Sequence, residues 1–428
     1  FSETSQASSG FEGQDLQEQL VNESGDLAVL GPNCYGFINY LDGIMMWPDQ
    51  HGGSRVASGV AIITQSSNIA LNLTMQRRSL PIAYVLTVGN QAKIGMAELI
   101  EALIQDSRVT AIGLYIEGFG NLKAFEIAAT KALHSKKPIV ILKVGRTKKS
   151  VLSSISHTGS VAGSQETSSA FLSRMNCLEV YSLSSFLETL KIFHFCGHLK
   201  GPNVASVSCS GGEASLIADQ SAGTDICFSD FNKVTKKKLI GILGPNVQIS
   251  NPLDYHTFIW GETDLMIKTF IAVVKNPFDL IIFLLDVPRS DLCDDSSFQC
   301  AIEAIIATSK STKKRLAVVS SIPESMPEAL SKRFIKSGVL PLCGFDDAII
   351  AIQNSISLGR IYRKKLTLSP PSVHFIAKAT QKKDILIDEK TSKNALAAYD
   401  LKVPKSIEAR SRTEALNLLS AKCLRYPL

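Results

Sequence analysis

The apolar residues of this chain fall into two alternating textures. Short, nearly continuous apolar runs (GVAIIT at 59–64, AYVLTV at 83–88, AIGLYI at 111–116, PIVILKVG at 138–145) are separated by longer segments of helical spacing, such as 96–105 and the stretch from Gln165. Runs of that kind predict strands buried on both faces, as in parallel sheets. The texture repeats further on, with VASVSC at 204–209, DLIIFLLD at 279–286, RLAVVS at 315–320 and GVLPL at 338–342 as strands, and helices such as 298–308 between them. Strand and helix in alternation imply parallel sheets with right-handed crossovers. SSNIA (66–70) and SGGEA (210–214) follow their strands at the same offset, 144 residues apart, which predicts an internal repeat of one βαβ domain type.

The two ends differ from this body. At the front, a polar loop GFEG (10–13), a helix over 15–23 and a strand LAVL (27–30) lead into GPNCYGFINY (31–40), the pattern of the tail of an α/β unit. From 359 the chain becomes basic and proline-bearing. A helix over 387–399, an extended exit at 401–404 and a helix over 411–420 follow, the last with a capping-box-like start from Ser411 to Glu414. The predicted layout is an α/β tail (1–55), two α/β units (56–198 and 200–358), a linker (359–372) and a short final piece (373–428). A length of 428 residues is too great for one core and agrees with about three domains.

Composition narrows the function classes. The chain is 45% hydrophobic and 20% charged, ordinary for a globular protein. Its net charge of +6 is dispersed, with no basic stripe carrying interleaved aromatics, which speaks against nucleic-acid binding. No uncharged apolar run reaches about 18 residues, so no transmembrane helix is predicted. Nine scattered cysteines without CxxC spacing suit reduced thiols in a cytoplasm, and the seven histidines form no metal-ligand constellation. The first residue is Phe1 rather than Met, and the last pattern is unfinished at Leu428, so the sequence reads as a fragment of a longer protein.

The most chemically loaded stretch is SSISHTGSVAGS (153–164). Its single imidazole, His157, sits among hydroxyls and two glycines, between a strand-like and a helix-like run. Small residues leave room for a bulky group on the ring, Gly159 and Gly163 permit unusual backbone, and a helix starting near Ser164 would favour an anion. These features point to a histidine that becomes phosphorylated; a surface histidine on a polar turn is the plainer alternative. Glu117 closes a buried strand and precedes Gly118, so it is either a capping or solvated carboxylate or the group that orders the ring of His157. GPNC (31–34) places a rigid turn where open α/β sheets bind ligands, although Gly-Pro and Pro-Asn are also ordinary turn chemistry. Cys34 there reads as a small packing residue rather than a nucleophile. Gln65, Ser66 and Ser67 form a strand-to-helix turn suited to gripping phosphate with backbone N–H groups, a weak signal by itself. ISNPLDY (249–255) gives one more turn, with Asn251 and Asp254.

Together, Gly31–Gly36, QSS (65–67), GNQ (89–91), Glu117-Gly118, SHTGSVAGS (156–164), Ser210-Gly211-Gly212 and NPLD (251–254) resemble, in order, the ADP-forming (NDP-forming) acyl-CoA synthetases, relatives of succinyl-CoA synthetase. The resemblance covers essentially the whole chain, and the SHTGxxAGS loop is its most specific part. It implies the end of a CoA-binding Rossmann-like domain, two flavodoxin-like domains and the start of an ATP-grasp domain. It also implies an acid–thiol ligase that joins a carboxylic acid to CoA through an acyl phosphate and a phosphohistidine at His157, with Glu117 orienting the ring. Gly31, Pro32, Asn33 and Cys34 then match the loop beside the CoA thiol, and Gln65, Ser66, Ser67, Ser210, Gly211 and Gly212 match phosphate-gripping turns. CoA, ATP/ADP and phosphate are the implied cofactors, with Mg2+ beside the nucleotide in the ATP-grasp part, which lies largely beyond Leu428. A cytoplasmic homo-oligomer is implied as well. The family usually has Gln-Ser-Gly where this chain has Gln65-Ser66-Ser67. The run around Tyr35 and Trp47 is similar to the subgroup acting on hydroxycinnamates such as ferulate, while acetate-type specialists share the framework. Two other functions compete: a catalytically silent CoA-binding regulatory part of a lysine acetyltransferase, and a Rossmann oxidoreductase, disfavoured because no GxGxxG follows a strand.

Overall fold

The computed structural model describes residues 10–147, 149–150, 165–364, 387–404, 409 and 411–420. His157 and the whole 153–164 stretch lie outside the described residues. The chain divides into two compact units, 1–372 and 373–428.

The first unit begins with helix α1 (Gly10–Glu23). Strands β1 (Phe37–Asn39) and β2 (Ile44–Met46) form a short antiparallel pair. Then come β3 (Gly59–Thr64), α2 (Ser67–Thr74), β4 (Ile82–Thr87), α3 (Met96–Gln105), β5 (Val109–Ile116), α4 (Leu122–His134), β6 (Ile139–Lys143), α5 (Gln165–Arg174), β7 (Leu178–Glu179) and α6 (Leu183–Cys196). The sheet order is β2-β1-β4-β3-β5-β6-β7, and β3 to β7 run parallel. Every residue of β3 and β6 is buried, which explains runs with no polar alternation.

A second sheet follows from β8 (Val204–Ser208), α7 (Gly211–Gln220), α8 (Lys233–Leu243), β9 (Leu253–Asp254), α9 (Thr263–Val274), β10 (Leu280–Leu284), α10 (Gln299–Lys310), β11 (Leu316–Ser320), α11 (Glu328–Lys336), β12 (Leu340–Cys343) and α12 (Phe345–Arg363). Its order, β12-β11-β10-β8-β9, is parallel throughout. In both sheets the second parallel strand lies outside the first, and the third, fourth and fifth follow on the other side. This is the flavodoxin-like arrangement, whose order reverses beside the first strand. The repeat expected from the sequence is therefore present as topology.

The final helices of the two α/β units, α6 and α12, pack together, and one hydrophobic cluster runs from Val60 and Ile62 through Leu190 to Ile349 and Leu280. Gly359 lets α12 come this close, since a Cβ there would stand 1.9 Å from the Leu199 carbonyl oxygen. Glu188 and Lys191, both fully buried on α6, pair at 2.8 Å. Arg78 reaches Glu188 at 2.9 Å and Asp347 of α12 at 3.4 Å, and the Cys343 N–H donates to Glu188 Oε2 at 3.2 Å.

Three expectations shift. Residues 27–30 form no strand beyond one bridge from Leu30 to Ile94: Leu27 and Ala28 are exposed, and the chain turns at Gly31 with φ of 100°. Residues 37–46, expected in the leading α/β tail, extend the first sheet through β1 and β4. Residues 359–363, expected in the linker, complete α12, because Leu358 and Gly359 are buried against the first sheet's unit. In the 373–428 unit, α13 (Glu389–Ala397) is capped by Asp388, and α14 (Arg412–Ser420) by the Ser411 hydroxyl, which accepts the Glu414 N–H at 3.1 Å. Residues 401–404 carry no regular structure.

Candidate active site

In the first sheet the strand order reverses between β3 and β5, and the loops leaving those strands carry the expected residues. β3 ends at Thr64; Gln65 follows, and Ser66 caps α2 by accepting the Ile69 N–H at 3.4 Å. That leaves the first-turn N–H groups of Ser67 and Asn68 for an anion. The side-chain oxygen of buried Gln65 accepts the N–H groups of Glu117 and Gly118, at 2.6 and 2.8 Å, and so fixes the turn after β5. Gln91 works from the other side, donating to the Gly118 carbonyl at 3.1 Å and accepting the Met96 N–H at 3.0 Å.

The 31–36 loop closes onto this frame. The Asn90 and Ala92 N–H groups donate to the Pro32 and Gly31 carbonyls, at 3.0 and 2.9 Å. Gly89 (φ 49°) is required there: a Cβ would sit 2.1 Å from the Pro32 oxygen. The Tyr35 N–H donates to Ser67 Oγ at 2.9 Å, which ties the 31–36 loop to the start of α2. Cys34 turns its thiol back to the Leu30 carbonyl at 3.6 Å, in keeping with a packing role. Asn33, Cys34, Tyr35, Ser66, Asn68 and Glu117 are among the residues around a cavity of about 530 Å³. Four stretches separated in sequence thus meet at one sheet edge, where α/β sheets bind their ligands.

A cation that the sequence reading passed over lies beneath Glu117. Lys143, buried at the end of β6, donates to the Glu117 carbonyl at 2.9 Å, and Ile116 and Lys143 are register partners. Burial lowers its pKa, opposed by the charges of Glu117 and Glu179. The signal was available, because a charged residue closing an apolar strand was the argument applied to Glu117. Phe119, two residues past Glu117, packs edge-on against Phe125 and Phe171, both at 5.3 Å. Phe171 belongs to α5, which begins right after the 153–164 stretch. The described flanks of that stretch, β6 and α5, therefore both touch the Glu117 turn.

Ser210, Gly211 and Gly212 occupy the matching point of the second sheet, and none of them is among the residues around the first cavity. Ser210 caps α7 by accepting the Glu213 N–H at 3.3 Å, the counterpart of Ser66 and Ile69. Ser208 donates to the Ser210 carbonyl as Thr64 does to that of Ser66. Asp254 lies beside this turn, 3.1 Å from where a Gly211 Cβ would be. Burial first, then Asp286 and Asp254, push Glu213 up to about 7. Asn251 holds backbone instead, donating to the Val204 and Ser229 carbonyls, both at 2.8 Å. Among the described residues no cluster of three or more His, Cys, Asp or Glu could hold a metal ion, and no helix is long and apolar enough to cross a membrane.

The body of the chain is thus two tandem flavodoxin-like sheets, each with a serine-capped helix start at its switch point. Residues 57–193 match the succinyl-CoA ligase like flavodoxin domain. An acetate–CoA ligase (ADP-forming) of Methanocaldococcus jannaschii is 25% identical over 91% of this chain and 56% of its own length. A 4-hydroxybutyrate–CoA ligase (ADP-forming) of Nitrosopumilus maritimus is 24% identical over 97% of this chain and 60% of its own. A dinucleotide-forming acetyl-coenzyme A synthetase of Ca. Korarchaeum cryptofilum, solved with phosphate and ADP, shares the fold with a TM-score of 0.68 at 22% identity, over 81% of this chain and 74% of that one. Over nearly its whole length the chain is similar to ADP-forming acid–CoA ligases. It spans little more than half the length of these two curated relatives.

Proposed function

We propose that this chain carries the acyl-transfer half of an ADP-forming acid–CoA ligase, in which a carboxylic acid, CoA and ATP are interconverted with acyl-CoA, ADP and phosphate. The observation that carries it is the meeting of the 31–36 loop, the start of α2 and the Glu117 turn around one polar cavity, with Gln91 bracing that turn. The α2 N–H groups and the helix dipole would hold the phosphoryl oxygens of an acyl phosphate, and the 31–36 loop would stand beside the CoA thiol. His157 would take the phosphoryl group on a neutral ring nitrogen, with Glu117 orienting the ring and stabilising the positive charge it gains as the N–P bond forms, and Lys143 fixing the Glu117 backbone. The stems of the 153–164 stretch beside Glu117 support this pairing. A nucleotide with Mg2+ would supply or accept the phosphoryl group in an ATP-grasp part beginning within 373–428. Ser210 to Gly212 would offer a second phosphate grip of the same build.

CoA and a carboxylate are the partners of this reading, in a cytoplasmic homo-oligomer; the acid is acetate-type or a hydroxycinnamate. The ADP-forming names of the curated relatives support the reaction class, and one further relative, 28% identical over 62% of this chain, is a trans-feruloyl-CoA synthase. The test is product analysis of the gene's full polypeptide supplied with ATP, CoA and acid. ADP and orthophosphate released in step with thioester are expected. AMP and pyrophosphate would overturn the reading, as would CoA binding without turnover, which fits the silent regulator.

A further inference from the structure

Beside the polar cavity lies a second, larger one of about 970 Å³, and the two share Cys34 and Tyr35. We infer that this second cavity receives the tail of the acid, and that the substrate is a carboxylic acid bearing an aryl group rather than acetate. The inference rests on the ligase reading above, which places the carboxyl carbon at the start of α2.

The walls are Tyr35, Phe37, Trp47, Tyr84, Leu86 and Leu99. Three of them share one face of the sheet: Phe37 pairs with Leu86 and Asn39 with Tyr84 across β1 and β4, so Phe37, Leu86 and Tyr84 point to the same side, while Leu99 comes from α3. Three polar side chains there are already engaged. The Tyr84 hydroxyl donates to Asp106 at 2.8 Å, the Trp47 indole N–H to the Gln50 carbonyl at 3.3 Å, and the Asn39 amide to Asp42 at 2.9 Å. What remains for a ligand is mainly apolar and aromatic surface, suited to a ring and poorly used by a two-carbon acid. Tyr35 and Trp47 meet edge-on at 5.3 Å and leave ring faces and edges against which an aryl group can stack.

Tyr35 couples the two cavities. Its N–H is bonded to Ser67 Oγ in the phosphate-gripping turn, while its ring walls the apolar cavity. An acid whose carboxyl group lies at that turn would pass its chain by Cys34 and Tyr35 straight into the pocket.

The experiment has two readouts. The gene's full polypeptide is assayed for thioester formation with acetate and with 3-phenylpropanoate. Trp47 fluorescence is followed as the difference between the polypeptide and its Trp47→Phe variant as each acid, or CoA alone, is added. The inference expects 3-phenylpropanoate to exceed acetate in kcat/KM by about tenfold or more and to shift Trp47 emission saturably. In Ala28→Trp, which fills the pocket from its exposed rim, and in Trp47→Ala, the ratio of the two kcat/KM values should fall by about tenfold. A preference for acetate, unchanged by either variant, overturns the inference and leaves the ligase reading standing. A Trp47 response to CoA but not to the aryl acid also overturns it, since the pocket then belongs to CoA. Saturable aryl-acid binding with no thioester from any acid upholds the pocket and rejects the ligase reading.

Discussion

At the scale of single residues, the site depends on side chains that hold backbone. Gln65 has one oxygen on two N–H groups, and Gly89 exists because two loops cross within van der Waals reach of its Cα. Gly89→Ala should cost about 2 kcal/mol or more, from a left-handed φ and a clash with the Pro32 and Asn33 carbonyls together; chemical denaturation beside wild type measures it, and an unchanged midpoint would show that the loops do not meet. Gln65→Leu should cost about 1–3 kcal/mol by stranding the Glu117 and Gly118 N–H groups, and should reduce turnover more than it raises KM. Glu117 and the QSS turn were legible in the sequence because each ends a buried run at a strand's carboxyl edge. Lys143 obeyed the same logic, yet it sits in a run whose apolar character drew the eye to strand assignment alone. The histidine itself, His157, lies outside the described residues.

Among elements, the repeat is the clearest lesson. α2 and α7 start alike, down to a hydroxyl at the strand end bonded to the carbonyl of the capping serine. Periodicity located eight of the twelve described strands within one or two residues, since buried parallel strands need unbroken apolar runs, and it missed the short strands β1, β2, β7 and β9. It misplaced 27–30, where apolar residues lack a partner strand, and it ended α12 early, because basic residues at 360–364 mark the exposed end of a helix whose other face is buried. The two helix starts differ in charge. Glu213 has a folded pKa of about 7, above its ordinary 4.5, so the folded state holds a proton that the unfolded chain has lost. The contribution is fully present below pH about 4.5 and disappears as pH rises through 7. Glu213→Gln should therefore be the more stable protein at pH 8, by of order 1 kcal/mol after solvent screening is discounted, with the gap closing by pH 4.5. Thermal melts of both proteins across that range check it; a constant gap would show that Glu213 does not titrate there.

For the molecule as a whole, the join between the two sheets is the part hardest to read from sequence. Arg78, Glu188, Lys191 and Asp347 are scattered along the chain, and nothing in their local spacing announces one buried cluster. The cluster balances two cations with two carboxylates, and Asp347 is pushed up by burial while Arg78 pulls it back down. Glu188→Gln leaves Lys191 and Arg78 short of charge in a dry interface and should cost about 3–5 kcal/mol. Glu188→Leu combined with Lys191→Met should recover much of that, because an apolar pair removes the desolvation problem. Urea unfolding of the single and double variants separates these outcomes, and a neutral Glu188→Gln would mean that the interface is open to water. A firm join would keep both serine-capped helix starts in a constant relation during turnover.

The central claim is that one histidine carries the phosphoryl group past Glu117. The most direct measurement is transfer from γ-labelled ATP to the gene's full polypeptide, followed by mapping of the acid-labile, alkali-stable label. The account predicts label on His157, none in His157→Asn, and a marked loss in Glu117→Gln. Wild-type labelling retained in His157→Asn, or full thioester synthesis by that variant, would contradict it.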